Sequence, residues 1–261
     1  MSDQLQFNEE RSRAVEAVYA TADIVEQRSA TLAALELQPG ERVIDIGCGP
    51  GYLASEMAEA VGQDGFVLGV DPSPSMLAIA ERRDRVRGAA RVKLEEGSAT
   101  GLPSPDDSFD VAVSTQVYEY VPDMEAALAE VRRILKPRGR LAILDTDWDS
   151  IVWRSSDDER MTRVLRAWDE HLAHPHLPRD LPKMLTGAGF TLRRSEVVPV
   201  LNVGYERQTY SAGVLGMIAE FVSGRQGVTP EEASAWEDDL RSLGPDYFFS
   251  LNRYLFVAEL S

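Results

Sequence analysis

The sequence is poor in the two residue types on which thiol and imidazole chemistry depend. Of 261 residues, one is a cysteine (Cys48) and three are histidines (His171, His174 and His176). A single thiol excludes an internal disulfide and a cysteine-based zinc site. Any catalytic histidine must therefore be one of the three in the segment 171–176.

Long apolar runs and an excess of basic charge are also lacking. No stretch approaches the roughly 18 uninterrupted apolar residues that a membrane helix needs. The 27 basic residues against 43 acidic ones give a net charge of −16, which repels phosphate backbones. The first residues, MSDQLQFNEERSR, are polar and acidic, unlike a secretory signal. We therefore expect a cytoplasmic monomer or homodimer with neither a nucleic-acid nor a membrane partner.

The first half of the chain alternates short apolar runs with segments of helical periodicity. This alternation predicts βαβ units, and hence a parallel sheet with helices on both faces. In such a sheet, ligands bind at the carboxyl ends of the strands, where the strand order reverses. The predicted strands cover 42–47, 66–71, 92–99, 109–116 and 141–147; the predicted helices between them cover 52–61, 73–86 and 124–135.

The flanking regions are less regular. Helical periodicity is present over 9–36, before the first strand, and over 157–172, 177–190, 208–222 and 230–243. The segments 190–203 and 247–260 each predict either one long strand or a strand pair.

The segment VIDIGCGPGYL (43–53) places three glycines, Gly47, Gly49 and Gly51, directly behind Asp45. Glycine costs backbone entropy, so such a cluster indicates close approach of a ligand or of another backbone. The dinucleotide fingerprint G-x-G-x-x-G is absent, since Tyr52 stands at the third glycine, and no G-K-[ST] phosphate loop follows. An acid here repels a pyrophosphate and attracts a cation.

DIGCGPG (45–51) resembles motif I of the class I S-adenosylmethionine (SAM)-dependent methyltransferases, whose donor carries a sulfonium and an ammonium. The resemblance covers 37–145 and returns at 250–260. It implies a Rossmann-like, doubly wound seven-stranded sheet, mostly parallel with an antiparallel last strand. The pattern is similar to the small-molecule enzymes of the ubiquinone and menaquinone type.

The resemblance also implies a set of cofactor-binding residues. Asp71 ends the second strand, where a carboxylate can accept both ribose hydroxyls. Ser98 stands where the family often has Asp beside the adenine ring. An aromatic residue on the N-terminal segment can gain cation–π attraction to a sulfonium. The full predicted set is Tyr19, Asp45, Gly47, Gly49, Gly51, Asp71, Pro72, Met76, Ser98, Ala99 and Gln116.

Candidates for the chemistry follow the fourth and fifth strands. Tyr118 is expected beside the cofactor or acceptor. Candidate walls for an apolar or aromatic acceptor are Trp148, Trp153, Trp168, Tyr205 and Tyr210, with Met217 and Phe221 closing the pocket, or these residues are simply core. In DTDWD (145–149), Asp145, Asp147 and Asp149 would share one face if extended; they are a base cluster with mutually raised pKa values, a divalent-cation site, or solvated loop acids. His171, with His174 and His176, is a metal ligand, a general base or acceptor contact, or a surface or helix-capping residue. The catalytic assignments are Asp147, His171 and Tyr118, with no metal assigned.

The domain organisation expected from these patterns has five parts. They are an N-terminal helical lid (1–36), the SAM-binding core (37–150), the rest of the core with an acceptor-side helical segment (151–204), a helical insertion (205–246) and a C-terminal strand (247–261). The expected reaction is in-line methyl transfer from SAM to an O, N or C atom of a small molecule, neutral or cationic. The alternatives are a non-catalytic SAM-binding module and a protein or nucleic-acid methyltransferase.

Overall fold

The computed structural model describes residues 16–83 and 86–261. Its core is one mixed sheet with helices on both faces, which confirms the predicted fold class. The strands are β1 (Arg42–Ile46), β2 (Phe66–Asp71), β3 (Arg91–Glu96), β4 (Phe109–Thr115), β5 (Leu135–Thr146), β6 (Val152–Trp153), β7 (Phe190–Val203) and β8 (Phe248–Leu260).

Eight complete α-helices accompany the strands in the described ranges. They are α1 (Ala22–Leu35), α2 (Tyr52–Val61), α3 (Pro74–Glu81), α4 (Met124–Ile134), α5 (Asp158–Asp169), α6 (Leu181–Gly187), α7 (Tyr210–Val222) and α8 (Pro230–Ser242). Residues 16–19 are also helical and are separated from α1 by a turn at Ala20–Thr21. The earlier part of the predicted 9–36 helix lies outside the described residues.

The strand order is β3-β2-β1-β4-β5-β8, with β7 along the far side of β8. The first five strands are parallel, and β8 runs antiparallel to β5 and to β7. The sheet has one strand more than predicted, because the two-residue β6 pairs with the start of β8. β7 and β8 are each one long strand, which settles the alternatives left open by the sequence.

The strands of the central sheet alternate their side chains between two hydrophobic layers. Ile44 and Ile46 of β1 contact the layer that contains α4 and α6, whereas Val43 contacts the layer that contains α1 and α2. Both faces of these strands are buried, so their sequences are continuously apolar. A third cluster lies among α5, α7 and α8 and contains four tryptophans: Trp148, Trp153, Trp168 and Trp236.

The order of the strands fixes where a ligand can bind. The chain leaves β1 toward β2 and β3 on one side, and later toward β4 and β5 on the other. The carboxyl end of β1 is therefore the point where the strand order reverses. Among the described helices, none is long and apolar enough to cross a membrane.

Candidate active site

A cavity of about 490 Å³ lies at the carboxyl ends of the central strands. This volume is in the range of pockets that bind small molecules. Its wall combines the glycine loop, the ends of β2 and β4, the N-terminal segment and α7. Ten of the eleven predicted cofactor residues line it: Tyr19, Asp45, Gly47, Gly49, Asp71, Pro72, Met76, Ser98, Ala99 and Gln116.

The three glycines of the loop all have positive φ angles, but they differ in what an added side chain would meet. A side chain at Gly47 would overlap Val117, and a Cβ at Gly51 would lie 2.7 Å from the Cβ of Ala80 on α3. Only at Gly49 would the added carbon meet nothing closer than the Tyr19 hydroxyl, at 3.5 Å. Gly49 is thus the glycine that opens backbone to the cavity. Gly51, the eleventh predicted residue, packs against α3 instead of lining the wall.

Asp71 joins the glycine loop to the end of β2. One carboxylate oxygen accepts a hydrogen bond from the Gly49 amide and the other from the Ser73 amide, each at 2.8 Å. Burial raises the pKa of Asp71, and these two amides oppose the rise. Each oxygen retains a second lone pair, so the carboxylate can still accept hydroxyl groups from a ligand.

Asp45 is a buried carboxyl group with an unsatisfied oxygen. It is 1% exposed, and its Oδ2 has no hydrogen-bond partner among the described residues. Desolvation, followed by the charge of Asp71, raises the pKa of Asp45 to about 7. A cationic group in the cavity would favour the ionised form, which fits the predicted sulfonium and ammonium donor.

Ser98 and Gln116 lie on opposite sides of the loop. The Ser98 hydroxyl is exposed and 3.0 Å from the Thr100 hydroxyl. Gln116 has a φ of 57°, and its side-chain oxygen accepts a hydrogen bond of 2.6 Å from Thr146. The Gln116 side chain is therefore anchored to β5 at the rim of the cavity.

Arg28 links the N-terminal segment to α2, the helix that follows the glycine loop. Arg28 donates to the Tyr19 carbonyl at 2.6 Å, forms an ion pair of 3.0 Å with Glu56 on α2, and lies 4.7 Å from the centre of the Tyr52 ring. The Tyr19 and Tyr52 rings are nearly parallel, with centres 6.2 Å apart. These contacts hold Tyr19 at the cavity wall.

Tyr118 does not lie at the cavity. It begins the short 3₁₀ helix Tyr118–Tyr120, is completely buried in the layer of α4, and its hydroxyl has no partner among the described residues. Successive residues of a 3₁₀ helix point in directions about 120° apart, so Glu119 and Tyr120 face the cavity instead. This placement corrects the catalytic assignment of Tyr118.

His171 lies behind the cavity wall. It is 1% exposed, its ring is stacked on Trp168 with centres 3.6 Å apart, and its Nδ1 contacts the Trp168 carbonyl. Burial lowers the pKa of His171 to about 3. A neutral imidazole of such low basicity, with tryptophan between it and the cavity, is a poor proton acceptor, so the structure gives the assignment no support.

The acids of DTDWD do not share one face. Asp145 is fully buried and accepts from the Val117 amide at 3.1 Å, whereas a 3₁₀ turn (Trp148–Ser150) takes Asp147 and Asp149 elsewhere. Arg179 donates to Asp147 at 2.7 Å and to Asp149 at 2.7 Å. With His176 these two acids form a cluster compact enough for a cation, but Arg179 already occupies an oxygen of each and offsets one of the two negative charges. Asp147 is thus a structural ion-pair residue away from the cavity.

Aromatic side chains and the buried acid Glu119 form the wall beyond Gln116. The Trp148 indole donates to Glu119 Oε2 at 3.0 Å. Burial raises the pKa of Glu119 to about 7, opposed by this bond and by the charge of Arg253. The predicted aromatic candidates Trp148, Trp168 and Tyr210 line this part together with Met217, whereas Trp153, Tyr205 and Phe221 do not.

The alternation of apolar residues along β8 is a sequence pattern that could have identified Arg253 as buried. Phe249, Leu251 and Leu255 are buried on alternate positions of the strand, and Arg253 occupies the position between the two leucines. Alternate positions share one face, so an arginine in this series predicts a buried charge.

Comparison with known proteins shows extensive similarity to methyltransferases. The family described as a methyltransferase domain matches residues 37–189. An uncharacterized 37.1 kDa protein in transposon Tn4556 of Streptomyces fradiae is 34% identical over 257 residues, covering 92% of this chain and 69% of that protein. A demethylmenaquinone methyltransferase of Geobacillus kaustophilus is 39% identical over 119 residues, covering 46% of this chain and 51% of that enzyme.

The match therefore spans about half the length of the menaquinone relative. Among solved structures, phosphoethanolamine N-methyltransferase 2 of Haemonchus contortus, in complex with S-adenosyl-L-methionine, superposes with a TM-score of 0.62 at 21% identity. It covers 99% of this chain and 58% of that one, and at this identity the likeness concerns the fold. On the family match and the fold, the chain belongs to the methyltransferase-domain family.

Proposed function

We propose that the protein is a SAM-dependent methyltransferase that transfers a methyl group to an O, N or C atom of a small, largely apolar aromatic molecule. The observation that carries the proposal is Asp71, whose carboxylate both holds the Gly49 amide at 2.8 Å and faces the cavity. One residue thereby couples the shape of the loop to a site for ribose hydroxyls.

The chain's own groups match the parts of the donor. Asp71 would accept the ribose hydroxyls, the exposed backbone at Gly49 would admit the amino-acid portion, and Ser98 with Ala99 would border the adenine. Asp45, with its unpartnered Oδ2, offers negative charge to a cationic ligand. When bound, SAM supplies an activated methyl group attached to a positively charged sulfur.

The rest of the cavity suits an apolar acceptor. Tyr120, Trp148, Trp168, Tyr210 and Met217 line it beyond Gln116. Methyl transfer requires chiefly that the acceptor atom be held in line with the methyl group and that water be excluded. Large aromatic side chains can do both, since they present rigid faces of large area.

Glu119 is the wall residue best suited to accept a proton, if the acceptor must lose one. Its pKa of about 7 lies near the operating pH, where general-base catalysis is most effective. Its hydrogen bond to Trp148 fixes its orientation at 3.0 Å. In this proposal Glu119 takes the role first assigned to Asp147 and His171.

The names of the relatives support an aromatic acceptor. Two kinds of similar protein are named for quinone substrates, as demethylmenaquinone methyltransferase and 2-phytyl-1,4-naphtoquinone methyltransferase. Such ring systems are flat and apolar, as the tryptophan- and tyrosine-lined wall would require.

The test is a methyl-transfer assay with SAM and a panel of naphthols, hydroquinones, aromatic acids and amines, read by mass spectrometry of the methylated product and S-adenosylhomocysteine. We expect transfer to at least one aromatic class, and a Glu119→Gln variant that loses transfer while binding S-adenosylhomocysteine normally. Tight donor binding without transfer to any member would instead indicate a non-catalytic binding module. Failure to bind SAM would refute the proposal.

A further inference from the structure

Arg253 is a buried arginine on the cavity wall. It lies on β8 directly opposite Thr146 of β5, is 3% exposed, and lines the cavity. Its neighbours on the same face of the strand, Leu251 and Leu255, are completely buried. The fold thus places a permanent positive charge in an otherwise apolar row.

The guanidinium of Arg253 is only partly satisfied by the protein, through the side chain of Tyr210. Its Nε and Nη1 are buried without a hydrogen-bond acceptor among residues 16–83 and 86–261, and within those ranges Arg253 forms no ion pair. It lies 4.6 Å from the centre of the Tyr210 ring. A guanidinium cannot shed its charge by deprotonation, and an unpaired buried charge is costly. The site therefore favours an anion from outside the chain.

The acids beside Arg253 do not provide that anion fully. Burial raises the pKa of Glu119 to about 7 and raises that of Asp145 well above its ordinary value, despite the opposing charge of Arg253. Asp145 also directs one oxygen at the Val117 amide. Burial disfavours the charged form of both carboxyl groups, and neither forms an ion pair with Arg253 among the described residues, so neither fully balances its charge.

The position of Arg253 in the sheet assigns it to the acceptor side of the cavity. The strand order places β4 and β5 between β1 and β8, so the backbone of Arg253 lies three strands from the end of β1, or roughly 14 Å at about 4.8 Å per strand. Asp71 on β2 is one strand farther. The wall around Arg253 consists of Glu119, Trp148 and Tyr210, which belong to the proposed acceptor side.

We propose that Arg253 binds a carboxylate of the methyl acceptor, and hence that the substrate is an apolar aromatic acid. This inference rests on the proposed function and narrows it. It also replaces the neutral or cationic acceptor expected from the net charge of −16, because a buried local charge acts on a bound ligand more strongly than screened surface charge does. The aromatic wall would hold the ring system and Arg253 its acidic group.

The test compares 2-naphthoate with 2-naphthamide, which share a ring system and differ in charge. Each is titrated calorimetrically into protein saturated with S-adenosylhomocysteine, and again into protein without it. The variants are Arg253→Met, which removes the charge, and Arg253→Lys, which keeps it. Arg138→Met is the control, since the Arg138 side chain is 84% exposed. Circular dichroism melts verify folding of each variant.

We expect the wild type to bind the naphthoate at least about tenfold more tightly than the amide, the range of one charge-assisted hydrogen bond. Arg253→Met should abolish that preference and leave amide binding intact, while Arg253→Lys should retain part of it. All variants should bind S-adenosylhomocysteine as the wild type does.

Three results would overturn the inference: no preference in the wild type, a preference that survives in Arg253→Met, or loss of S-adenosylhomocysteine binding in that variant, which would assign Arg253 to the donor. Failure of the proposed function gives a different result, namely no binding of S-adenosylhomocysteine by the wild type. The naphthoate preference can still be measured in that case, because it is also titrated in protein without S-adenosylhomocysteine.

Discussion

Replacing Asp71 by Asn tests the link between the glycine loop and the donor. The carboxylate accepts from the Gly49 and Ser73 amides, both at 2.8 Å. An asparagine can keep one of these bonds through its carbonyl oxygen, but its NH₂ group then faces the other amide. Hydrogen bonds to charged groups contribute about 1.5–3 kcal/mol each, and one of them is lost outright.

In the proposed complex the uncharged side chain also loses a charge-assisted hydrogen bond from a ribose hydroxyl. We therefore expect S-adenosylhomocysteine binding to weaken by about 1.5–3 kcal/mol, or roughly 10- to 150-fold at about 1.4 kcal/mol per factor of ten. The effect on unfolding free energy should be smaller. The substitution also removes a buried charge whose pKa is raised by desolvation, so the lost bonds are partly offset.

Isothermal titration calorimetry with S-adenosylhomocysteine measures the first effect, and urea denaturation the second. Glu96→Gln is the matched control, because Glu96 is the register partner of Asp71 on β3 and is exposed. It should bind as the wild type does. An Asp71→Asn protein that binds within twofold of the wild type would refute the reasoning.

Three further substitutions test the site. Asp45 has a pKa of about 7 when folded against an ordinary 3.8, so its contribution to stability is fully present below about pH 3.8 and is lost as pH rises through about 7. Relative to Asp45→Asn, the wild type should lose unfolding free energy between about pH 4 and 7, and parallel profiles would contradict the assignment. Gly49→Val, at a φ of 49° beside Tyr19, should abolish S-adenosylhomocysteine binding while circular dichroism shows a folded protein; a variant that still binds tightly would disprove the close-approach argument. Asp147→Ala, which breaks the ion pair with Arg179 and the hydrogen bond with His176, should lower the melting temperature but leave kcat within about threefold on any acceptor that the assay identifies. A collapse of kcat in a folded variant would restore its catalytic role.

The fold was predictable because its signals are local. The apolar strands, the glycine turn and the acid at the end of β2 each fall within a few consecutive residues, and the parallel arrangement follows from their alternation. The predicted donor-side residues meet for the same reason, since the carboxyl ends of neighbouring parallel strands lie at one edge.

The acceptor side was harder to predict because it depends on partners distant in sequence. The ion pair of Asp147 with Arg179, 32 residues later, removes it from the cavity, and nothing near Asp147 in the sequence indicates this. The direction of Tyr118 depends on a single 3₁₀ turn, which rotates Tyr120 into its place. Arg253 comes from the last strand, so its neighbours are set by strand order alone.

The three loop glycines also show how far a motif can be interpreted. All have positive φ angles, but Gly47 and Gly51 are required by Val117 and Ala80. Gly47 and Gly49 both line the cavity, but only at Gly49 would an added side chain meet no close protein atom. A glycine pattern thus identifies the turn, and the packing around each position determines which glycine meets the ligand.

The most direct test of the account is a crystal structure of the protein with S-adenosylhomocysteine. The account predicts ribose hydroxyls within hydrogen-bonding distance of Asp71, the amino-acid portion against Gly49, and the sulfur directed toward Gln116 and the aromatic wall. A ligand bound in another place, or in this cavity with its ribose away from Asp71, would contradict it.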